Sequence, residues 1–210
     1  MTSLRSLFLV GEIGGNDYIF PFIFGRTIKK IRPLMPQVVA AITRARCMLI
    51  EEGVVDLVVP GQFPIGCTSL FLTLFQSANE SAYDPRTGCI KPYNVFAKYH
   101  ANFLKKELQI MREQYPHARI MFVYYYITVM SIYRTPKHYG FYGGTLRSCC
   151  GGGGPYNLNT SAICGHTGST ACKDPSAFVD WDGIHLTESA YHHIAKGLID
   201  DGFTSPPLLL

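Results

Sequence analysis

Short, predominantly apolar runs alternate along the chain with longer amphipathic stretches. Three runs, SLFLV (6–10), VVDLVVPG (54–61) and ARIMFVYYYI (118–127), show no polar/apolar alternation and are rich in β-branched and aromatic residues. That pattern predicts strands covered on both faces, as in a parallel sheet. Between them, residues 33–53 place Val38, Val39, Ile42, Ala45, Leu49 and Ile50 on one stripe and stop at Gly53, which predicts a helix. Residues 94–116 do the same with Val95, Phe96, Tyr99, Phe103, Leu104, Leu108 and Met111 and end before Pro116. A last helix is predicted over 188–202, with Thr187 as N-cap and Glu188 in the first turn, where the dipole favours an acid. Strand, helix, strand, helix, strand is the order of an α/β domain with right-handed crossovers. Residues 62–92 and 128–186 read as long loops, the second carrying GGGG at 151–154.

Composition narrows this picture. The 210 residues are 47% hydrophobic and 16% charged, which suits one packed domain over 1–210 and excludes disorder. The formal charge of +4 is thinly spread. Its densest cluster, RTIKKIR (26–32), is interrupted by apolar residues and reads as a solvated helix start, so no nucleic-acid partner is expected. No apolar run reaches the ~20 residues that span a bilayer. The four-residue apolar stretch near the N-terminus does not read as a signal peptide.

Cysteines point to an oxidising compartment. Cys47 lies on a helical pattern as a core thiol; the other six, at 67, 89, 149, 150, 164 and 172, suit three disulfides of unspecified pairing. A zinc site is the rival, but adjacent Cys149 and Cys150 lack the spacing of structural zinc ligands. No metal or cofactor is expected. The sequons at Asn79 and Asn159 add little.

Candidate chemistry lies at two places. In VDWDGIHL, Asp182 and His185 are three apart before the last helix. A tight turn there would set a carboxylate against an imidazole, holding its tautomer while it takes a proton. The same residues could equally be caps or loop polar groups. Asn16 follows the first strand beside two glycines, where its amide could donate to an oxyanion or close an Asx turn. His192 and His193 do not read as a metal site, because adjacent helix positions point apart.

LFLVGEIGGNDY, VVPGQFPIGC, CCGGGGPYN and WDGIHLTESAYHHIAKGLI, in that order, resemble the plant GDSL esterase/lipase family of the SGNH-hydrolase class. The resemblance implies a flavodoxin-like three-layer α/β/α sandwich and hydrolysis of carboxylic esters by a serine nucleophile. It implies Asp182 as the acid, His185 as the base and Asn16 as an oxyanion donor. It also implies secretion for full-length members. Where the family commonly has an aspartate, this chain has Tyr124.

The family's nucleophile block does not occur: there is no G-D-S string, and Ser3, Ser6, Ser69 and Ser169 match no family motif. The expectation is therefore an N-terminally truncated member without its catalytic serine. Its sheet would be incomplete, reduced to strands 3–5 with a bare first edge open to pairing with another chain. Such a chain is expected to be inactive. The alternatives are a non-catalytic binding or regulatory fragment, or an incomplete gene model of a secreted esterase.

Overall fold

The computed structural model describes residues 4–200 and 202–209, which divide into two units. The first comprises residues up to 63, 96–126 and 198 onward; the second comprises 64–95 and 127–197.

In the first unit a four-stranded sheet runs in the order β1 (Leu4–Leu9), β2 (Val54–Pro60), β3 (Arg119–Val123) and β8 (Thr204–Ser205). β1, β2 and β3 are parallel, with Leu57 opposite Phe8 on one side and Ile120 on the other. β8 returns antiparallel to β3. Leu57, Val58, Val59, Ile120, Met121 and Phe122 are buried, as the unalternating runs predict. The expected incomplete sheet of strands 3–5 is thereby corrected: β8 makes it a mixed sheet, and two ribbons in the second unit add four further strands. A strand of two residues is too short to show any period, so β8 has no signature in the sequence.

Helices α1 (Gly15–Ile23), α2 (Ile28–Ile31), α3 (Met35–Glu51) and most of α5 (Lys91–Gln114) complete this unit. α3 buries Met35, Val39, Ile42, Arg46 and Ile50, an i, i+4, i+7 stripe. Tyr18 and Phe22 of α1 meet the edge of the Phe96 ring on α5, with centroids 5.0 and 5.5 Å apart. The third predicted strand overran. It ends at Val123 and a helix, α6 (Tyr125–Arg134), begins two residues later. Aromatic residues favour strands only where a ladder partner continues, and after Tyr124 donates its N–H to Phe203 the β8 partner is used up.

The second unit is built mostly from what reads as loop. It holds α4 (Ser69–Leu74), the remainder of α6, most of α7 (Glu188–Asp200) and two ribbons. β4 (Gly144–Ser148) pairs with β7 (Phe178–Asp180), and β5 (Cys150–Gly151) with β6 (Thr170–Ala171). Disulfides 67–89, 149–172 and 150–164 all lie within it. Cys47 is a free, half-buried thiol of the first unit.

Candidate active site

The turn that carries Asp182 and His185 begins at the end of β7. Asp180, the last residue of that strand, is a buried carboxylate, and four donors converge on it. The Ser69 N–H and hydroxyl each lie 3.0 Å from Oδ2; the Gly183 N–H and Ser148 hydroxyl lie 2.6 and 3.2 Å from Oδ1. Burial pushes the Asp180 carboxyl above its ordinary range, against the pull of those hydrogen bonds. Gly183 sits at φ +104°, and a Cβ there would come within 2.0 Å of Leu158 Cδ1, so the turn needs glycine at this position.

From this anchored point the chain folds back on itself. Asp182 Oδ1 accepts the backbone N–H groups of Ile184 and His185 at 2.9 and 2.8 Å, an Asx turn, while its Oδ2 lies 2.7 Å from His185 Nδ1. Half-burial alone would raise the Asp182 carboxyl, but the hydrogen bonds from His185 and Ile184 outweigh it and hold the group below the usual carboxylate range. The carboxylate is therefore ionised at neutral pH and fixes Nδ1 as the protonated nitrogen. The imidazole is 67% exposed, and among the described residues Nε2 has no hydrogen-bond partner. The arrangement is a base held by an acid, with its reactive nitrogen open to solvent.

Disulfides support the same turn. The Cys149 N–H donates to the Asp180 carbonyl and the Cys150 N–H to the Trp181 carbonyl, at 2.9 and 2.7 Å, and both cysteines are cross-linked. On the far side, the Thr187 hydroxyl donates to the Phe178 carbonyl and accepts the Ala190 N–H, so the predicted N-cap of α7 is in place.

Asn16 belongs to the first unit. It is the second residue of α1, exposed, after Gly14 at φ +100°, where a Cβ would stand 2.7 Å from Val38 Cγ1. The sequence reads this stretch as a turn; the structure makes it the first turn of a helix whose leading N–H groups have no intrahelical acceptor. The Asn16 amide and those N–H groups are all donors at one helix end.

The serines set aside in the sequence have other occupations. The Ser69 hydroxyl, besides its Asp180 contact, lies 2.9 Å from the Leu146 carbonyl, and the Ser169 hydroxyl donates to the His166 carbonyl. Ser6 is exposed on β1, and Ser3 lies outside the described residues. His193 packs its ring against Tyr139 and Phe141 at 5.3 and 5.7 Å. Among the described residues no group of three metal-ligating side chains occurs.

Asp180 and Gly183 are the site residues that sequence reasoning missed. Nothing in V-D-W-D distinguishes the fully buried acid from the half-buried one. Two further polar residues are structural in their contacts. Asn94 accepts the Gly66 N–H at 2.9 Å with Nδ2 3.4 Å from the Cys67 sulfur, and His100 Nδ1 lies 2.8 Å from the Tyr18 hydroxyl.

A comparison of the sequence with known families matches residues 7–198 to the GDSL-like Lipase/Acylhydrolase family. The chain belongs to this family. A GDSL esterase/lipase of Arabidopsis thaliana is 45% identical over 203 residues, covering 97% of this chain and 52% of the relative. Another from the same organism is 48% identical over 203 residues, 96% of this chain and 55% of the relative. The sinapine esterase of Brassica napus is 43% identical over 201 residues, 96% and 52% respectively. The chain thus spans about half the length of the curated relatives it matches.

The match replaces the expectation of a truncated, inactive chain of uncertain standing as an enzyme with a narrower statement: residues 7–198 match a hydrolase family, over about half the length of the relatives. It runs through nearly all of these residues, so the hydrolase family assignment attaches to them directly. A missing G-D-S-L string is a statement about one short motif. It does not place the chain outside a family whose match runs over residues 7–198.

Proposed function

We propose that the protein is a carboxylic-ester hydrolase of the serine acyl-transfer type, acting on small-molecule or lipid esters. The Asp182–His185 pair carries this reading: an ionised carboxylate on Nδ1 and an open Nε2. In this reading His185 takes the proton of the attacking serine hydroxyl as the acyl-enzyme forms and returns it to the leaving alcohol. It then activates the water that releases the acid. Asp182 keeps the tautomer and stabilises the imidazolium. Asn16 donates to the oxyanion of each tetrahedral intermediate. No cofactor takes part. The three disulfides support a secreted protein, since they persist in oxidising compartments.

Turnover of p-nitrophenyl acetate and butyrate, with a fluorophosphonate probe, tests this. His185→Ala is expected to lower kcat/KM by ~10³-fold or more with the melting temperature unchanged, and Asn16→Ala by ~10²-fold or more. Peptide mapping of the phosphonylated protein names the serine that attacks. Turnover equal to that of His185→Ala, with no residue labelled, overturns the proposal.

A further inference from the structure

We infer that α1 and the basic segment after it form a docking surface for an anionic lipid membrane. Tyr18, Ile19 and Phe22 are buried, so α1 has a satisfied inner face. Its outer face is apolar as well: Phe20, Ile23 and Phe24, the last the residue that caps the helix, are 55%, 41% and 80% exposed. At 100° per residue these three fall within a stripe about 100° wide that begins at Asn16. Exposure on this scale means that the rings project from a helix rather than line a cleft. An apolar stripe left in water is costly, and contiguous exposed apolar surface marks an interaction site.

Charge selects the partner. From 15 to 34 the chain carries Arg26, Lys29, Lys30 and Arg32 against one acid, Asp17. All four cations are exposed. Lys29 and Arg32 line an open groove of about 580 Å³ with Ile28, Pro33, Tyr99 and Phe103, and the Arg32 guanidinium lies 4.0 Å from the centroid of the Tyr99 ring. Stacking holds that cation in place at the groove wall. Projecting aromatic side chains beside a cluster of cations are the two parts of an interfacial membrane site: the rings enter the headgroup boundary while the cations meet lipid phosphates. Among the described residues no helix is long and apolar enough to cross a bilayer. Asn16 heads the same stripe. If the proposed function holds, docking brings lipid esters to the oxyanion donor.

Sedimentation with sucrose-loaded vesicles of phosphatidylcholine alone, or with 30 mol% phosphatidylglycerol, tests the inference. The protein is expected to partition at least tenfold more strongly to the anionic vesicles, and to be released by 0.5 M salt. Phe20→Ser/Phe24→Ser and Lys29→Glu/Arg32→Glu are each expected to lose that partitioning at least tenfold while keeping their circular dichroism and their hydrolysis of p-nitrophenyl acetate. Leu7 and Leu9 on the β1 edge are also exposed, so Leu7→Ser/Leu9→Ser is the control and is expected to bind as before. No binding, equal binding to neutral vesicles, or binding lost only in the β1 variant overturns the inference. Vesicle binding without ester turnover would count against the proposed function alone, and turnover without vesicle binding against the surface alone.

Discussion

The first unit is held by a parallel ladder and apolar helix faces, the second by cross-links and by side chains that hydrogen-bond to irregular backbone. β2 lies between two parallel neighbours, and Leu57, Val59 and Met121 vanish from the surface. In the second unit β5, β6 and β7 are two or three residues long and leave most backbone groups without a ladder partner. Asp180 supplies acceptors for four donors there, and all three disulfides close loops around the Asp182–His185 turn or its α4 neighbours. The difference shows how a reactive imidazole can stand exposed on a loop and still be fixed in direction. Rigidity is built underneath it rather than around it.

Reduction is the strongest way to break that comparison. The cross-linked cysteines are 22, 23 and 14 residues apart in sequence, and each closure is worth about 3 kcal/mol. Dithiothreitol is expected to expose residues 64–95 and 127–197 to proteolysis while amides of β2 and β3 stay protected from hydrogen exchange. Simultaneous loss of protection in both would show that the sheet depends on the cross-links too.

Replacing the buried carboxylate acts on the second unit alone. Asp180→Ala leaves Ser69, Ser148 and Gly183 without their acceptor in a buried site, a loss of about 3–5 kcal/mol. The urea midpoint is expected to fall accordingly and ester turnover with it, and Asp180→Asn, which keeps one acceptor oxygen, to fall less. Equal midpoints for both variants would show that the carboxylate does not organise the turn.

What could be read from the sequence divides along the same line. β2, α3 and α5 are visible because a buried strand and an amphipathic helix each impose a period on their residues, and their bounds shift by only a few positions. α1 is not visible. Gly14 precedes it, Gly15 opens it and Pro21 lies inside it, so local preference argues for a turn, and packing of Tyr18 and Phe22 on Phe96 overrides it. Asp182 and His185 are legible because three-residue spacing brings acid and imidazole together in any tight turn. Asp180 is not, because its role depends on Ser69 and Ser148, 111 and 32 residues away. The disulfide pairing is hidden for the same reason: six cysteines allow many pairings and only the folded chain selects one.

Acid should weaken the first unit through His100. Burial, with the nearby Arg46 cation adding to it, lowers the His100 pKa to about 4, against about 6.5 in an unfolded chain. Above pH 6.5 both states are neutral and the group has no effect. As pH falls below 6.5 the unfolded chain binds a proton that the folded one refuses. Stability then drops by about 1.4 kcal/mol per pH unit and levels off below pH 4, near 3 kcal/mol in total. Chemical denaturation at pH 7, 5.5 and 4 measures this, and His100→Gln is expected to flatten the slope over that window. An unchanged slope would place the acid sensitivity elsewhere.

The smallest effect probes the turn most finely. Thr187→Ala removes the hydroxyl that joins α7 to the Phe178 carbonyl, and an N-cap of this kind is worth about 1 kcal/mol. Thr187→Ser keeps the hydroxyl and is expected to restore most of that stability. The backbone bond from the Thr187 N–H to the Val179 carbonyl, and that from the Trp181 N–H to the His185 carbonyl, survive either change. Because these and the Asp180 contacts hold the imidazole's base, kcat is expected to change by less than about threefold in Thr187→Ala while the midpoint moves. A large fall in kcat, recovered in Thr187→Ser, would mean that the cap itself aims His185 and that the turn is less independent of its helix than the hydrogen bonds to Asp180 and Asp182 imply.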